Sequence, residues 1–225
     1  MMFGTYFSRL CFVVIVLSCF CFAALASEKT EVEKIKLPEP RADGAMSLEK
    51  ALWERRSIRS FSSKPAEWEQ VGQLLWAAQG INRPGTKFRT APSAGATYPL
   101  EIYAVLPSGI YRYLPEEHAV ERIVAGDTRA ALSAAGLRQG SIQQAACVVV
   151  ICAVFERTSE KYADRGTRFV YLEAGHVAQN VLLQAVALGM GGVPIGAMVD
   201  EEAQKVLGVP PEQKVVYIVA TGFPQ

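Results

Sequence analysis

The chain of 225 residues carries 23 Lys and Arg against 22 Asp and Glu, a formal net charge of +1 at pH 7. Because this balance is even and no long basic tract is present, we expect no nucleic-acid partner. Half of the residues are hydrophobic, which is enough to bury the core of one domain of about 200 residues.

The first 26 residues predict a signal peptide. Arg9 is their single charged residue, the 16-residue run from Leu10 to Leu25 is almost wholly apolar, and Ala24-Leu25-Ala26 offers the small residues of a cleavage site. We expect cleavage after Ala26 and an exported protein, in the periplasm or another extracytoplasmic space. A retained membrane anchor is an alternative, although a bilayer-spanning helix needs roughly 20 apolar residues. A lipoprotein modified at Cys19 is a further alternative.

The first part of the mature chain is polar and contains two prolines, so residues 27–45 predict a linker, either a tether or an extended arm. The folded domain is predicted over residues 46–225. Ser47 can cap a first helix that ends near Arg56, because serine favours this position. A second helix is predicted from Pro65 to Gln79, where apolar residues recur at helical spacing.

The rest of the domain alternates between predicted strands and helices. Leu100–Leu106 and Gly109–Tyr113 predict two strands joined by a hairpin turn. The segments Cys147–Phe155 and Val215–Thr221 are continuously apolar, as in strands covered on both faces. Between them, Phe169–Leu188 predicts a long helix. This order indicates an α+β domain with a mixed central β-sheet flanked by helices.

The segment Arg55-Arg56-Ser57-Ile58-Arg59 places three guanidinium groups and a hydroxyl within five residues at a predicted helix end. Guanidinium groups bind phosphate oxygens in pairs, so the cluster predicts a phosphate site. The alternative is that basic residues at a helix end stabilise the negative end of the helix dipole.

Two other segments are rich in small residues. The loop from Arg89 to Pro99 would let backbone amides approach a flat ligand, or it is an ordinary surface loop. The segment from Gly189 to Gly196 suggests a nucleotide site but lacks the Gly-Lys-Ser/Thr ending of a P-loop. It also follows a helix, and Pro194 stands where the last glycine of a dinucleotide motif would fall.

Two further kinds of site are disfavoured. Glu173 and His176 form a single Glu-x-x-His motif, whereas di-iron bundles need two such motifs and further carboxylates, so we expect no metal. Ser93 is not within a Gly-x-Ser-x-Gly elbow, so a serine hydrolase is not expected.

Four motifs occur in a family-specific order: Arg-Arg-Ser-Ile-Arg-Ser-Phe61, Ala-Pro-Ser-Ala-Gly-Ala-Thr-Tyr-Pro-Leu-Glu101, Leu-Glu-Ala-Gly-His-Val-Ala-Gln-Asn180 and Gly-Gly-Val-Pro-Ile-Gly196. Over residues 46–224 the chain resembles the FMN-dependent nitroreductase superfamily, and within it the SagB/ThcOx-type dehydrogenase branch. The resemblance implies a nitroreductase-like fold and an intertwined homodimer with an FMN held by both subunits at the interface.

The resemblance also assigns residues to FMN. The phosphate and ribityl end would be held by Arg55, Arg56, Ser57 and Arg59. The ring site would be formed by Pro92, Ser93, Ala94, Gly95 and Tyr98, and the late loop near the ring by Val193, Pro194, Ile195 and Gly196.

The implied function is an FMN-dependent oxidoreductase that passes hydride through flavin N5. It would either reduce nitro or quinone-type acceptors with NAD(P)H or dehydrogenate a small carbon substrate, as SagB-type enzymes do. Lys161 and Tyr162 resemble a Lys-Tyr pair of azoline dehydrogenases, and a lysine base beside a tyrosine relay suits proton removal. The alternative is that Lys161 and Tyr162 belong to a solvated, charged turn without a catalytic role. The alternative function is an exported flavin-binding module without turnover, and a membrane is a partner only if the N-terminal segment is retained.

Overall fold

The computed structural model describes residues 33–83 and 85–225. The predicted signal peptide and residues 27–32 of the predicted linker lie outside these ranges. Within the described ranges, no helix combines the length and the apolar character needed to cross a membrane.

One sheet of seven strands forms the centre of the domain, in the order β1-β4-β3-β2-β5-β7-β6. Its strands are β1 (Lys34–Lys36), β2 (Leu100–Leu106), β3 (Gly109–Leu114), β4 (Ala119–Ala125), β5 (Cys147–Ala153), β6 (Gly191–Ile195) and β7 (Lys214–Gly222).

All pairs of these strands run antiparallel, and parallel pairing among the described residues is confined to one bridge between Ser57 and Gly192. The expected mixed sheet is therefore wrong in its strand directions. Burial on both faces, from which central strands were predicted, does not determine whether neighbouring strands run parallel or antiparallel.

Within the described ranges seven helices flank the sheet, and the predicted α+β class is confirmed. They are α1 (Leu48–Glu54), α2 (Trp68–Gln79), α3 (Arg129–Ala135), α4 (Gly140–Gln144), α5 (Glu156–Tyr162), α6 (Gly166–Ala187) and α7 (Asp200–Leu207). Short 3-10 turns cover Ala94–Ala96 and Ala163–Arg165. The Ser47 hydroxyl accepts a hydrogen bond from the amide of Lys50, which confirms the predicted cap of α1.

The core consists of two hydrophobic clusters on opposite faces of the sheet. Because side chains alternate along a strand, Val149 and Ile151 of β5 lie in the cluster covered by α2 and α6, whereas Val148 and Val150 lie in the cluster covered by α3, α4 and α7. Every residue of β5 is buried. The long helix α6 and the central strand β5 thus contribute side chains to the same hydrophobic cluster.

The second half of the expected polar linker belongs to the fold. β1 pairs with β4, and Leu37 is only 2% exposed. The amide of Leu37 donates a hydrogen bond to the carbonyl of His118 at 3.1 Å, and His118 Nε2 lies 2.8 Å from the carbonyl oxygen of Pro38. The folded domain therefore begins before Met46, because backbone pairing holds a segment too short and polar to show a strand pattern.

Candidate functional site

The arginine-rich segment after α1 lies alongside β6. The amide of Ile58 donates a hydrogen bond to the carbonyl of Gly192 at 3.0 Å, and Ser57 forms a parallel bridge with the same glycine. The structure therefore brings Arg55, Arg56, Ser57 and Arg59 next to the Val193–Gly196 segment. The sequence motifs predict that both segments bind FMN, but they do not predict this pairing.

The guanidinium groups of this segment are available to a ligand. None of the ion pairs between described residues uses Arg55, Arg56 or Arg59. Helix α1 ends at Glu54 and has no basic residue in its last turn, so stabilisation of the helix dipole accounts for the cluster less well than a phosphate does.

The late loop is shaped by its glycines and its buried side chains. A Cβ on Gly191 would lie 2.6 Å from Cγ1 of Ile58, so a glycine permits the close approach of the arginine segment. Val193 and Ile195 are buried, whereas Pro194 is half-buried and Gly196 is exposed. A ligand would therefore meet Pro194, Gly196 and the backbone of this loop, while Val193 and Ile195 pack in the core.

The loop from Pro92 to Tyr98 adopts an uncommon backbone conformation. Gly95, Ala96 and Tyr98 all have positive φ angles, of 60°, 54° and 44°. Such angles are uncommon for residues other than glycine and are often found at functional sites. The Ser93 hydroxyl stabilises the loop by accepting a hydrogen bond from the amide of Tyr98 at 2.9 Å.

Lys161 and Tyr162 lie directly against this loop. Nζ of Lys161 donates a hydrogen bond to the carbonyl of Gly95 at 3.2 Å, and a Cβ on Gly95 would lie 2.6 Å from both Lys161 Nζ and Tyr162 Oη. The ring of Tyr162 packs edge-on against Phe169, with centroids 5.0 Å apart. The pair is thus in contact with the proposed ring site, with Lys161 exposed and Tyr162 half-buried.

A buried polar network lies beneath the loop, and sequence analysis did not predict it. Glu173 is only 2% exposed and accepts a hydrogen bond from Gln79 Nε2 at 3.2 Å. Arg89 donates a hydrogen bond to Gln79 Oε1 at 3.2 Å, and its guanidinium lies 4.5 Å from the ring centroid of Tyr98. Burial raises the pKa of Glu173, although Ser93, Gln79 and Arg89 partly oppose this effect.

The only sequence signal for this network was an acidic residue on an otherwise apolar helix face. In the sequence, Glu173 and His176 form a single Glu-x-x-His motif, from which no metal site is expected. In the structure Glu173 is buried whereas His176 is exposed, and the described residues contain no cluster of three or more potential metal ligands among His, Cys, Asp and Glu.

The predicted site residues form two separate groups within one chain. The first combines the arginine segment with the Val193–Gly196 segment, and the second combines the Pro92–Tyr98 loop with Lys161 and Tyr162. Among the described residues, no hydrogen bond or ion pair links the two groups.

A sequence model of the Nitroreductase family matches residues 52–223, which include both groups of site residues. The chain belongs to the Nitroreductase family. It is accordingly an oxidoreductase enzyme with the nitroreductase-like fold.

Individual relatives agree with this assignment. The chain is 41% identical over 182 residues to a protein of Methanocaldococcus jannaschii named as a nitroreductase, covering 78% of this chain and 90% of that protein. It is 29% identical over 177 residues to the NADPH-flavin oxidoreductase of Vibrio harveyi, covering 75% of this chain and 62% of that protein. A crystal structure from Ralstonia eutropha, also named as a nitroreductase, matches with a TM-score of 0.76 and 30% identity, covering 85% of this chain and 90% of that chain.

Proposed function

We propose that this nitroreductase-family protein binds FMN and transfers hydride between the flavin and a small-molecule substrate. The observation that carries the proposal is the contact of Lys161 and Tyr162 with the strained loop around Gly95. The flavin named in the Vibrio harveyi relative supports it. When bound, FMN supplies the ring that takes up and releases hydride.

The described residues fit FMN at both of its ends. Arg55, Arg56 and Arg59 form no ion pair among the described residues, and the Ser57 hydroxyl lies in the same segment. These groups would hold the phosphate. The loop around Gly95, with small side chains and a constrained backbone, would lie against the flat ring.

Flavin binding tests this assignment. The variant Arg55→Ala with Arg59→Ala removes two phosphate donors and should weaken FMN affinity at least about tenfold, because hydrogen bonds to charged groups contribute about 1.5–3 kcal/mol each. Arg138→Ala with Lys205→Ala removes the same charge from exposed positions elsewhere. Equal FMN affinity in both double variants, measured by fluorescence titration, would show that the cluster does not bind the phosphate.

We further propose that the protein works as a homodimer in which one site combines the first group of one chain with the second group of its partner. The outer face of α6 supports this, because Tyr171 and Leu172 are exposed and a Cβ on Gly175 would meet no atom within 4 Å. Helix α1 likewise exposes Leu48, Leu52 and Trp53, the last at 87%. An unconstrained mid-helix glycine costs about 1 kcal/mol relative to alanine, and it allows another chain to approach closely.

Light scattering tests the dimer. In a monomer, Gly175→Arg should be harmless because space is open around Gly175, but across an interface it should prevent association. Ala134→Arg, on the exposed side of α3, is the matched control. A wild-type protein that is a flavin-loaded monomer at micromolar concentration would contradict the proposal, as would a Gly175→Arg variant that still dimerises.

For the reaction we propose dehydrogenation of a carbon substrate, alongside NAD(P)H-dependent reduction of nitro or quinone-type acceptors. In dehydrogenation, Lys161 as a neutral amine would accept the proton that leaves the substrate and the Tyr162 hydroxyl would stabilise or relay charge, while a bound FMN would supply the hydride acceptor. The two electrons would leave to a separate acceptor, which balances the reaction. In acceptor reduction the protein mainly positions the reactants against the ring.

Stopped-flow flavin reduction tests these roles. Lys161→Ala and Tyr162→Phe should bind FMN but reduce it more slowly with a dehydrogenation substrate, by a factor on the order of 100 for loss of a general base. Reduction by NAD(P)H should change much less. A wild-type rate with the carbon substrate in both variants would remove Lys161 and Tyr162 from the mechanism. Bound flavin that no NAD(P)H or carbon substrate reduces would indicate a binding module without turnover.

We also propose export, on the strength of the apolar run from Leu10 to Leu25 and the small residues that end at Ala26. Mass spectrometry of the protein from its producing cell would identify the amino terminus. Ser27 as the first residue is expected, and an intact Met1 in a soluble cytoplasmic pool would contradict export.

A further inference from the structure

Helix α5 meets the Pro92–Tyr98 loop through three of its side chains, each of which hydrogen-bonds to the loop. The three contacts are Arg157 with the Tyr98 carbonyl at 3.1 Å, Thr158 with the Thr97 hydroxyl at 2.8 Å, and Lys161 with the Gly95 carbonyl at 3.2 Å. Because successive residues of a helix are about 100° apart around its axis, the three helix residues lie on one face of α5. The position of α5 on the loop therefore determines where Lys161 lies.

The three contacts differ in their exposure to solvent. The Arg157 side chain is 43% exposed and also pairs with Glu101, and Lys161 is exposed, whereas Thr158 is only 1% exposed. Exposed ion pairs contribute little to stability. A buried hydroxyl that loses its partner, by contrast, is not satisfied by water. The threonine pair is therefore the contact on which the docking of α5 depends most.

The direction of the hydrogen bond between the two threonines follows from a second partner of Thr97. The Thr97 hydroxyl donates to the carbonyl of Ala94 at 3.1 Å, and the Thr97 amide donates to the same carbonyl at 3.3 Å. A threonine hydroxyl has a single hydrogen, so Thr158 is the donor to Thr97. The residue that closes the 3-10 turn around Gly95 is thus the acceptor for α5.

The backbone is strained where α5 ends. Ala163, directly after Tyr162, has a φ of 48° and a ψ of −134°, a combination typical of glycine. Three residues later a Cβ on Gly166 would lie 2.7 Å from Cα of Ser159, so α6 begins in close contact with the backbone of α5. A residue other than glycine keeps such angles only where its surroundings impose them. Release of α5 from the loop would let this corner relax and would move Lys161 and Tyr162.

We propose that Thr158 is a positioning residue, whose hydroxyl, bound to Thr97, holds α5 where Lys161 and Tyr162 meet the Gly95 loop. The catalytic consequence rests on the proposed function. The structural step, from the hydroxyl pair to the docking of α5, concerns the protein alone.

Hydrogen–deuterium exchange of the purified protein, without and with added FMN, tests the structural step. Thr158→Val keeps the branched shape of the side chain and removes its hydroxyl. Amides of α5 and of the turn at Ala94–Ala96 should exchange about tenfold faster, as expected when a buried hydrogen bond is lost, while amides of β5 stay protected. Thr158→Ser keeps the hydroxyl and should exchange as the wild type does.

Ser133→Ala is the matched control, because it removes a buried hydroxyl that donates to the carbonyl of Gln139 at 2.9 Å. It should leave α5 and the turn unchanged. Unchanged exchange of α5 and the turn in Thr158→Val, or an equal rise in β5, would overturn the proposal. If Thr158→Val does not fold, Thr97→Val removes the same bond from the side of the loop and serves for the exchange test.

Flavin reduction by a small azoline, used as the probe, tests the catalytic consequence. In Thr158→Val this reduction should slow about tenfold, as misplaced catalytic groups do, with kcat changing more than KM. Reduction by NAD(P)H should change much less, and Thr158→Ser should keep the wild-type rate with the azoline. Equal losses in the valine and serine variants would show that the hydroxyl is not what positions α5.

A double-mutant cycle tests whether Thr158 acts through Thr97. The loss in kcat caused by Thr158→Val should disappear when Thr97→Val is already present, whereas two independent losses would multiply and contradict the inference. A wild-type protein that binds no FMN would refute the proposed function, while exchange of α5 and the turn would still decide the positioning step.

Discussion

Lys161 donates a hydrogen bond to the carbonyl oxygen of Gly95, 66 positions away in the chain, at 3.2 Å. The contact joins the 3-10 turn before β2 to the end of α5, the two segments that sequence analysis assigned to the flavin ring and to proton transfer. The φ of +60° favours a glycine at this point, and a Cβ here would lie 2.6 Å from Lys161 Nζ, so the end of the lysine side chain would have to shift.

Gly95→Ala should therefore displace Lys161 and Tyr162. The left-handed backbone alone costs an alanine about 1–2 kcal/mol, and the added methyl group cannot share the space with the two side chains. We expect dehydrogenation to slow on the order of tenfold to 100-fold, as misplaced catalytic groups do. Steady-state kinetics with a carbon substrate would measure this.

The variant Gly126→Ala distinguishes the effect of backbone strain from the effect of displacing Lys161 and Tyr162. Gly126 also has a positive φ, of 86°, but no atom lies within 4 Å of its would-be Cβ. This control should lose similar stability and keep its activity. If both variants lose activity equally, backbone strain explains the result and the contact with Lys161 does not.

The sequence predicted the local features of the site but could not pair them. The arginine cluster, the Pro92–Tyr98 loop and the Lys161–Tyr162 pair are each visible as short motifs. The bond from Ile58 to Gly192 and the packing of Gly95 against Lys161 depend on long-range topology. The acceptor role of Glu173 likewise depends on Gln79, which only the fold brings near.

There are also physical reasons why the sequence does not predict strands β6 and β1. β6 contains Pro194 and two glycines, which disfavour a strand by composition, but it lies at the edge of this chain's sheet, where proline is tolerated. Strand β1 has only three residues, and the buried residue of this segment, Leu37, lies just beyond the end of the strand. The continuously apolar β5, by contrast, was predictable because its pattern directly reflects burial on both faces.

Gly191→Ala should loosen the phosphate end of the site. Its Cβ would lie 2.8 Å from Cβ of Ile58 and 2.6 Å from Cγ1, atoms too near the backbone to move aside as a flexible chain end does. The arginine segment must shift, at a cost of about 1–3 kcal/mol for overpacking. We expect FMN affinity to fall about tenfold, a free-energy loss within that range. In the control Gly140→Ala the nearest atom is 3.9 Å away, and unchanged FMN binding in both variants would contradict the shift.

Glu173→Gln should change how stability depends on pH. Burial raises the pKa of Glu173 in the folded state above its unfolded value, so the folded protein binds this proton more tightly. Its contribution to stability is full below the unfolded pKa and is lost as pH rises through the folded pKa. The glutamine variant has no ionisable group at this position, so it has no such contribution to lose as pH rises. We expect urea unfolding to show that Glu173→Gln gains stability relative to wild type as pH rises from acidic values, and a pH-independent difference would contradict the raised pKa.

The N-terminal arm, residues 34–38, contacts His118. The pKa of this histidine is lowered, whereas that of Glu173 is raised. His118 is buried, with Nε2 2.8 Å from the carbonyl oxygen of Pro38 and Nδ1 2.9 Å from the hydroxyl of Tyr113. Burial lowers its pKa, an effect that Lys36 adds to and that the Pro38 carbonyl and Glu39 oppose. A neutral ring can donate to Pro38 and accept from Tyr113, so both bonds suit the deprotonated form.

Because the folded pKa is lowered, the stability that His118 contributes is present above its unfolded pKa of about 6.5 and is lost as pH falls through the folded value. The His118→Asn variant removes the titrating ring, and asparagine tolerates the φ of 44° found at this position. We expect the wild type to lose stability between about pH 7 and about pH 5 more steeply than the variant. The chain has two histidines, and the exposed His176 provides the control: His176→Asn should keep the wild-type slope. Urea unfolding across this range would measure all three proteins, and equal slopes in wild type and His118→Asn would show that the arm is held independently of the charge on His118.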